Sequence, residues 1–310
     1  MTLPRYAYLG PAGTFTEAAL RAMAPAGQAE HLPMVDVPSA LGAVRSGEAD
    51  FAVVAIENSV EGGVTATLDT LAEGEPLVIL GEVVLSISFE LVALPGTRIE
   101  DVQRVSAHSH GLNQCRRWIA DHLPGALQVP ASSNAAAAVA LADGSADFDA
   151  ALAPPGIGES LGLEVLVSGV SDRSTSMTRF VRIGRPGDLP VPTGADKTTL
   201  VVHLPSDRAG ALLEMLEQFS ARGVNLSRIE SRPRGDRPGE YSFSMDAMGH
   251  IAESRVAEAL MGLKRTCPVV LFLGSYPAFH GELTPIEPAT TEESFESARA
   301  WVDALRHGIA

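Results

Sequence analysis

The stretch FAVVAIENSVEGG, residues 51–63, contains the pattern that decides the fold. Its apolar run, residues 51–56, predicts a buried β-strand, and Glu57, Asn58 and Ser59 follow it directly. Polar side chains at the carboxyl end of a buried strand occupy the position where α/β proteins bind ligands. A capping role for Asn58 or Ser59 is the alternative that these residues leave open. We therefore expect an α/β fold with a ligand site at the end of this strand.

The first predicted domain covers residues 1–185, and short apolar runs alternate with alanine-rich helical stretches in it from Arg5 to Phe180. This alternation indicates helices that flank a largely parallel sheet. The long, mostly apolar run at residues 77–94 separates two βαβ sets, so we expect two lobes with a cleft between them. The predicted fold class is a two-lobed, doubly wound α/β unit. Predicted strands cover residues 6–9, 51–56, 102–107 and 149–153, and predicted helices cover residues 14–23, 40–44, 110–122 and 134–142.

A second domain is expected after a stretch rich in proline and glycine. Residues 186–196 break regular structure and indicate a linker. Residues 197–277 then show apolar and helical patterns in the order βαββαβ, which predicts a ferredoxin-like domain. Residues 278–310 form a tail with a predicted helix at 292–305. The predicted strands of the second domain are residues 198–204, 224–231, 241–247 and 269–274, and its predicted helices are residues 209–221 and 253–263.

The chain is acidic, with 310 residues and a formal net charge of −15. Nucleic-acid binding requires clustered cationic side chains that displace counterions, so we expect no nucleic-acid partner. The same charge repels an anionic substrate at long range. A dicarboxylate would therefore need a local arginine to overcome the field of the whole protein.

Two scarce residue types exclude further classes of function. Cys115 and Cys267 are the only cysteines and show no CxxC or Cys/His zinc spacing, so we expect neither a disulfide framework nor a structural metal. Lys197 and Lys264 are the only lysines, which excludes a Schiff-base or Walker lysine from the first domain. The sequence shows no apolar leader and no apolar run of about 18 residues, so we expect a cytoplasmic protein without a membrane partner.

Two more polar motifs follow predicted strands in the first domain. GPAGTF, residues 10–15, predicts a glycine-rich turn before a helix that Thr14 caps. Free N–H groups at that helix start favour an anion, although an ordinary βα turn is sufficient to explain the motif when it is taken alone. Residues 108–114 are rich in histidine and amide side chains, but His108 and His110 lack a third metal ligand nearby.

Hydroxyl side chains mark two further segments. Ser132 and Ser133 open an alanine-rich helix, where a helix cap and an anion site are compatible functions. The polar loop at residues 171–180 leads into a predicted strand at residues 180–183. Taken alone, the Thr-Arg-Phe at the end of this loop indicates no more than the edge of a strand.

In this order, the motifs resemble those of the prephenate dehydratase family, and the second domain resembles the ACT module that this family carries. The matching motifs are residues 10–15, 57–59, 108–115, 132–138 and 178–180 in the first domain, and residues 210–212 and 230–233 in the second. The resemblance implies a periplasmic-binding-protein-like catalytic domain that converts prephenate to phenylpyruvate with loss of water and carbon dioxide. It implies no cofactor and no metal, and the sequence shows neither a GxGxxG fingerprint nor a metal-ligand constellation.

The resemblance also implies which residues act on the substrate. Thr178 would contact the departing hydroxyl, and because an aliphatic alcohol is a very weak acid, we expect it to donate a hydrogen bond. Glu57 is an alternative proton source if burial favours its neutral form. Arg179 would pair with a substrate carboxylate, or else point to solvent. The implied catalytic residues are Thr178, Arg179, Glu57 and Asn58, and the implied substrate-binding residues are Thr14, Ser59, Gln114, Ser132 and Ser133.

An effector site for phenylalanine is implied in the second domain. Gly210 would let backbone N–H groups approach a bound amino acid, and Glu230 would accept from its α-amino group. ACT modules usually pair between subunits, so the resemblance implies a homodimer or homotetramer that phenylalanine inhibits. The implied effector residues are Gly210, Ala211, Leu212, Asn225, Leu226, Glu230, Ser231, Arg232 and Pro233.

Two alternative functions stay open at this point. The amino-acid analogue arogenate would be the substrate of an arogenate dehydratase, and no sequence feature separates the two substrates. A non-catalytic sensor is the other alternative, since two-lobed α/β units and ACT modules often only bind small molecules. Such a sensor would bind prephenate without forming phenylpyruvate.

Overall fold

The computed structural model of the chain describes residues 2–24, 27–60, 62–206, 208–233 and 241–308. Glu61, which belongs to the segment of residues 51–63, lies outside these ranges. The chain forms two compact units, and each is assembled from two segments: residues 1–67 with 83–181, and residues 68–82 with 182–310. None of the helices in the described ranges has the length and apolar character that are needed to cross a membrane.

Strands and helices follow each other closely along the chain. The first part contains β1 (Arg5–Leu9), α1 (Phe15–Met23), β2 (Glu30–Met34), α2 (Val37–Ser46), β3 (Phe51–Asn58), β4 (Gly62–Gly63), α3 (Thr65–Ala72) and β5 (Val78–Ser86). The middle part contains β6 (Glu90–Ala93), β7 (Arg104–Ala107), α4 (Ser109–Gln114), α5 (Arg116–His122), β8 (Leu127–Pro130), α6 (Asn134–Asp143), β9 (Ala150–Ala153), α7 (Ile157–Ser160), β10 (Glu164–Ser168) and β11 (Met177–Gly184). The last part contains β12 (Asp196–His203), α8 (Ala211–Ser220), β13 (Leu226–Pro233), β14 (Tyr241–Met248), α9 (Ser254–Thr266), β15 (Val269–Pro277) and α10 (Glu292–Arg306).

The first sheet has the strand order β2-β1-β3-β11-β5, and the short β4 pairs with β3. β1 runs parallel to both β2 and β3. Tyr6, Tyr8 and Val53 from these strands pack with Leu20 of α1 and Phe180 of β11 in one apolar cluster. Strands that are covered on both faces read as continuous apolar runs, which is why β1 and β3 stand out in the sequence.

The second sheet has the order β10-β6-β9-β7-β8. β7 is parallel to β8 and β9, whereas β6 is antiparallel to β9 and β10. Its main core contains Phe89, Leu91, Val105, Ile119 and Leu152. The two sheets give the two-lobed α/β architecture that the sequence predicts.

The third sheet lies in the C-terminal part and has the order β13-β14-β12-β15, with all three pairings antiparallel. Met215 and Phe219 of α8 and Leu263 of α9 pack against Leu200 and Met245 of this sheet. The βαββαβ order is therefore confirmed. α10 follows as the predicted last helix and contains no buried residue.

Residues 68–82 pack within the same compact unit as the C-terminal sheet. The Glu82 carboxylate accepts hydrogen bonds from Lys197 Nζ at 2.8 Å and from the backbone N–H of Phe279 at 2.9 Å. Gly274 has a φ of 125°, and a Cβ atom there would collide with the backbone of Ile79. Backbone therefore packs directly on backbone at this point, which only glycine permits.

The predicted fold class is confirmed, with three local corrections. Both sheets of the first domain are mixed rather than largely parallel, because β6 and β11 run against their neighbours. The helix predicted at residues 110–122 divides at Cys115 into α4 and α5. The strand predicted to start at Phe180 starts at Met177, which places Thr178 and Arg179 inside β11.

Candidate active site

The glycine-rich turn after β1 is held by its own hydrogen bonds. Gly13 has a φ of 85°, and a Cβ atom there would collide with the side chain of Ile157, so glycine is required. The Thr14 hydroxyl accepts from the backbone N–H of Glu17 at 3.3 Å and donates to the carbonyl of Leu9 at 3.0 Å. Thr14 is thus the N-cap of α1, as predicted, and its hydroxyl proton is already committed to the fold.

Glu17 fixes this turn and is not among the site residues predicted from the sequence. Its carboxylate accepts from the Gly13 N–H at 2.5 Å and from Arg21 Nη2 at 2.7 Å. Burial alone would raise the pKa of Glu17, but the hydrogen bonds from Gly13, Arg21 and His31 outweigh burial and hold the pKa below its usual value. Burial, together with the nearby Glu17 charge, raises the pKa of Tyr8 to about 12. The Glu17 carboxylate that holds the turn is therefore charged at neutral pH, and the neighbouring Tyr8 phenol is neutral.

A cavity of about 530 Å³ lies beside this turn. It brings together Thr14, Ser132, Ser133 and His108. Ser133 is the N-cap of α6 and accepts from the N–H of Ala136 at 2.9 Å. The cavity therefore joins the starts of α1 and α6, where unpaired N–H groups favour an anion. Three of the predicted substrate-binding residues share this place.

Asn58 and Thr178 form a direct side-chain contact between β3 and β11. Asn58 Nδ2 donates to Thr178 Oγ1 at 2.7 Å. The Asn58 Oδ1 atom accepts from the N–H of Val60 at 2.8 Å, which orients the amide with its donor toward Thr178. No side chain or carbonyl in the described ranges accepts the Thr178 hydroxyl proton. The buried Thr178 hydroxyl thus receives one hydrogen bond and keeps its own proton for a ligand.

Ser59 continues the same pairing on the neighbouring residue. Its N–H donates to the Met177 carbonyl at 2.9 Å, and its hydroxyl accepts from the Met177 N–H, also at 2.9 Å. Ser59 pairs with Met177, and the preceding residue Asn58 pairs with the following residue Thr178. The two strands are therefore antiparallel here. Ser59 therefore ends the hydrogen-bonded pairing of β3 with β11. Its hydroxyl oxygen already accepts a hydrogen bond from the backbone N–H of Met177.

Glu57 and Arg179 form the next pair along the two strands. Arg179 Nη1 donates to Glu57 Oε2 at 3.2 Å. The Arg179 side chain is only 7 % exposed, whereas that of Glu57 is 39 % exposed. Because successive side chains on a strand alternate between faces, this ion pair lies on the face opposite to Asn58 and Thr178. Arg179 is thus engaged by Glu57 rather than directed to solvent.

Gln114 lies apart from the serine-lined cavity and borders a second one of about 420 Å³. Gln114 is only 8 % exposed, yet its Oε1 atom has no hydrogen-bond partner in the described structure. The same cavity is lined by Arg116, Arg117, Arg173 and Ser176. None of these three arginines is among the site residues predicted from the sequence.

The predicted catalytic and substrate-binding residues therefore fall into three groups. Glu57, Asn58, Thr178 and Arg179 meet across β3 and β11, and Ser59 joins them through Met177. Thr14, Ser132 and Ser133 share the first cavity, and Gln114 lines the second. Their roles toward a substrate stay predictions.

Cys115, next to Gln114, is a buried thiol. Burial and the nearby Asp172 charge raise its pKa to about 12. A thiol with this pKa is protonated at neutral pH and is a poor nucleophile. Asp172 in turn accepts from the backbone N–H groups of Arg117 and Trp118, both at 2.9 Å, at the start of α5. Cys115 therefore belongs to the packing of the second lobe.

The predicted effector residues lie in the C-terminal sheet and at the start of α8. Gly210 has a φ of 88° and is the N-cap of α8, as expected for a residue that opens this helix. Along β13, the Glu230 carboxylate lies 3.6 Å from Arg228 and 3.8 Å from Arg232. Arg232 also donates from Nε and Nη2 to both carboxylate oxygens of Asp69, at 2.9 and 3.1 Å. The effector role of this strand stays a prediction.

A network of buried polar side chains connects β13 with β14 and β12. Arg228 donates from Nε to Asp246 Oδ2 at 3.0 Å, and Thr199 donates to Asp246 Oδ1 at 2.7 Å.

Within the described residues, no group of three or more His, Cys, Asp or Glu side chains is arranged to hold a metal ion.

Two families match this chain. The prephenate dehydratase family matches residues 6–188, and the ACT domain family matches residues 198–265. A prephenate dehydratase from Amycolatopsis methanolica is 46 % identical over 307 residues, which cover 99 % of each sequence.

Solved structures are similar over nearly the whole chain. Prephenate dehydratase from Arthrobacter aurescens, solved in complex with L-Phe, is 51 % identical with a TM-score of 0.92, and the match covers 98 % of this chain and 99 % of that one. GqqA, described as a novel type of quorum quenching acylase, is 30 % identical with a TM-score of 0.76, and the match covers 88 % of this chain and 98 % of that one.

Proposed function

Because the chain belongs to the prephenate dehydratase family, we propose that it is a lyase that converts prephenate to phenylpyruvate, water and carbon dioxide in phenylalanine biosynthesis. The observation that carries this proposal is the Asn58–Thr178 contact of 2.7 Å. It leaves a buried hydroxyl proton available to a leaving oxygen. The reaction moves no electrons to an external acceptor, so its chemistry calls for no redox cofactor.

Thr178 assists departure of the ring hydroxyl. As the carbon–oxygen bond breaks, negative charge grows on the leaving oxygen, and the Thr178 O–H donates a hydrogen bond to it. Asn58 donates to the Thr178 oxygen at the same time, which makes the Thr178 proton a better donor. The leaving hydroxide takes up one proton from the solvent and departs as water, while Thr178 keeps its own proton. The electrons of the bond to the ring carboxylate enter the ring, and carbon dioxide leaves.

Glu57 and Arg179 support this contact from the other face of the two strands. Their ion pair of 3.2 Å ties β3 to β11 one residue away from Asn58 and Thr178. We therefore assign the pair a positioning role in addition to the catalytic roles that the family implies. A nearly buried guanidinium that already pairs with a carboxylate is poorly placed to be the only cation for a dianionic substrate.

Feedback inhibition by phenylalanine is part of the proposal. The ACT family match and the similarity to an enzyme solved with L-Phe support it. The effector site would use Gly210, Asn225 and the strand that carries Glu230 and Arg232. We also propose a homo-oligomer in the cytoplasm, since ACT modules usually pair between subunits.

One kinetic comparison tests the proposal. Purified protein is assayed with prephenate and with arogenate, and kcat/KM is determined for each in the presence and absence of phenylalanine. We expect phenylpyruvate from prephenate and a fall in rate as phenylalanine is added. A higher kcat/KM for arogenate would make the chain an arogenate dehydratase. Binding of prephenate without product from either substrate would make it a sensor.

A further inference from the structure

The second cavity of the first compact unit is positively charged in a chain whose net charge is −15. Arg116, Arg117 and Arg173 line it, and their side chains form no ion pair or hydrogen bond with any described residue. Asp172 is the one acidic side chain in the described lining, and two backbone N–H groups already bind its carboxylate. The cavity therefore offers three uncommitted guanidinium groups to an anion.

A buried acceptor lies in the same cavity. Gln114 Oε1 is buried without a donor in the described structure, and an unsatisfied buried polar atom costs about 1–3 kcal/mol. A ligand that offers a hydroxyl would satisfy it. The cavity thus fits a small carboxylate that also carries a hydroxyl group, which is the chemical class of the proposed substrate.

The cavity also borders the Thr178 site. Ser176 lines it and precedes Thr178 by two residues, which is about 7 Å along an extended chain. Val60 lines it as well and donates its N–H to Asn58. The edge of the cavity is therefore formed by direct chain neighbours of the Thr178 and Asn58 contact.

We propose that Arg116, Arg117 and Arg173 form the subsite that attracts and binds a carboxylate of the substrate; this inference rests on the proposed function and names the residues that overcome the acidic field of the chain. These arginines are binding residues, because exposed guanidinium groups at the edge of a cavity act on capture rather than on bond breaking. Their effect is screened by salt.

The test uses the full-length protein and single and triple arginine-to-glutamine substitutions. Each single variant, R116Q, R117Q or R173Q, should raise KM for prephenate about two- to fivefold, the range of exposed charge pairs. The triple variant should raise KM at least about tenfold and leave kcat within about twofold. The dependence of kcat/KM on NaCl concentration should become flatter in the triple variant.

Two controls give the test a sharp outcome. R98Q removes the same charge from an exposed arginine outside both cavities and should change neither KM nor its salt dependence. The triple arginine-to-lysine variant keeps the charge and should recover most of the lost kcat/KM. A triple glutamine variant that matches R98Q in KM and salt response, in a wild type that forms phenylpyruvate, would overturn the subsite.

Failure of the proposed function gives a different result. If the wild type forms no phenylpyruvate, calorimetry with prephenate still tests the subsite. Binding that weakens at least about tenfold in the triple glutamine variant supports the subsite although the lyase proposal has failed. Equal binding by the wild type and the triple variant overturns it.

Discussion

Replacement of Thr178 by valine tests the centre of the proposed mechanism. Valine keeps the β-branched shape that suits a strand but removes the hydroxyl, so the leaving oxygen loses its donor. Loss of one such donor typically lowers kcat by about 10²–10³. Thr178 is only 7 % exposed, and the substitution removes the acceptor that lies 2.7 Å from Asn58 Nδ2. The free energy of unfolding should therefore also fall by about 1–3 kcal/mol.

The assay follows phenylpyruvate formation from prephenate and determines kcat and KM separately. We expect kcat to fall by this factor and KM to stay close to that of the wild type, because the lost hydrogen bond acts on the breaking bond. Thr178→Ser is the matched control: it keeps the hydroxyl and should retain kcat within about tenfold. A valine variant with kcat within threefold of the wild type would refute the donor role.

A double-mutant cycle separates the structural part of this effect. Asn58→Leu removes the other partner of the contact. If the two side chains interact as the structure shows, their combined loss of stability is smaller than the sum of the single losses by about 1 kcal/mol. Denaturant unfolding of the four proteins measures this difference.

Three further predictions address other parts of the molecule. Because the pKa of Glu17 is held low, its stabilisation is complete above its usual pKa and is lost as pH falls through the folded-state value. Glu17→Gln should therefore lower the urea midpoint at pH 7 and lose most of that difference at acid pH; an equal difference at both would contradict this. Cys115, with a pKa of about 12, should resist iodoacetamide at pH 8 in the folded protein and react after denaturation, as mass spectrometry will show. Asp69→Asn, which removes the bidentate partner of Arg232, should raise the phenylalanine concentration for half-inhibition about two- to fivefold; an unchanged value would separate this pair from regulation.

The sequence predicts buried elements well because burial leaves a pattern. β1, β3, β7 and β9 are covered strands with apolar runs, and α1 and α6 begin at capping residues. The edge strands β2, β8 and β10 were not predicted, because their half-exposed faces carry mixed side chains such as those of Glu30, His31 and Gln128. The break at Cys115 has no glycine or proline to signal it.

The candidate site was only partly accessible from sequence. The motif residues came from the family resemblance, whereas the pairing of Asn58 with Thr178 joins positions that are 120 residues apart and leaves no local signal. Glu17 did leave a signal, since Thr14 and Glu17 have the spacing of a capping box. The arginine subsite has no such pattern, because α5 and the loop that carries Arg173 meet only in the folded chain.

The two-segment construction of each compact unit has a consequence for biosynthesis. Residues 68–82 leave the ribosome long before Lys197, Arg232 and Phe279, with which they make hydrogen bonds across 115, 163 and 197 positions. An N-terminal domain normally folds as it emerges. Here residues 68–82 meet these partners only after the last part of the chain has been translated, so the C-terminal compact unit completes its fold only near the end of translation.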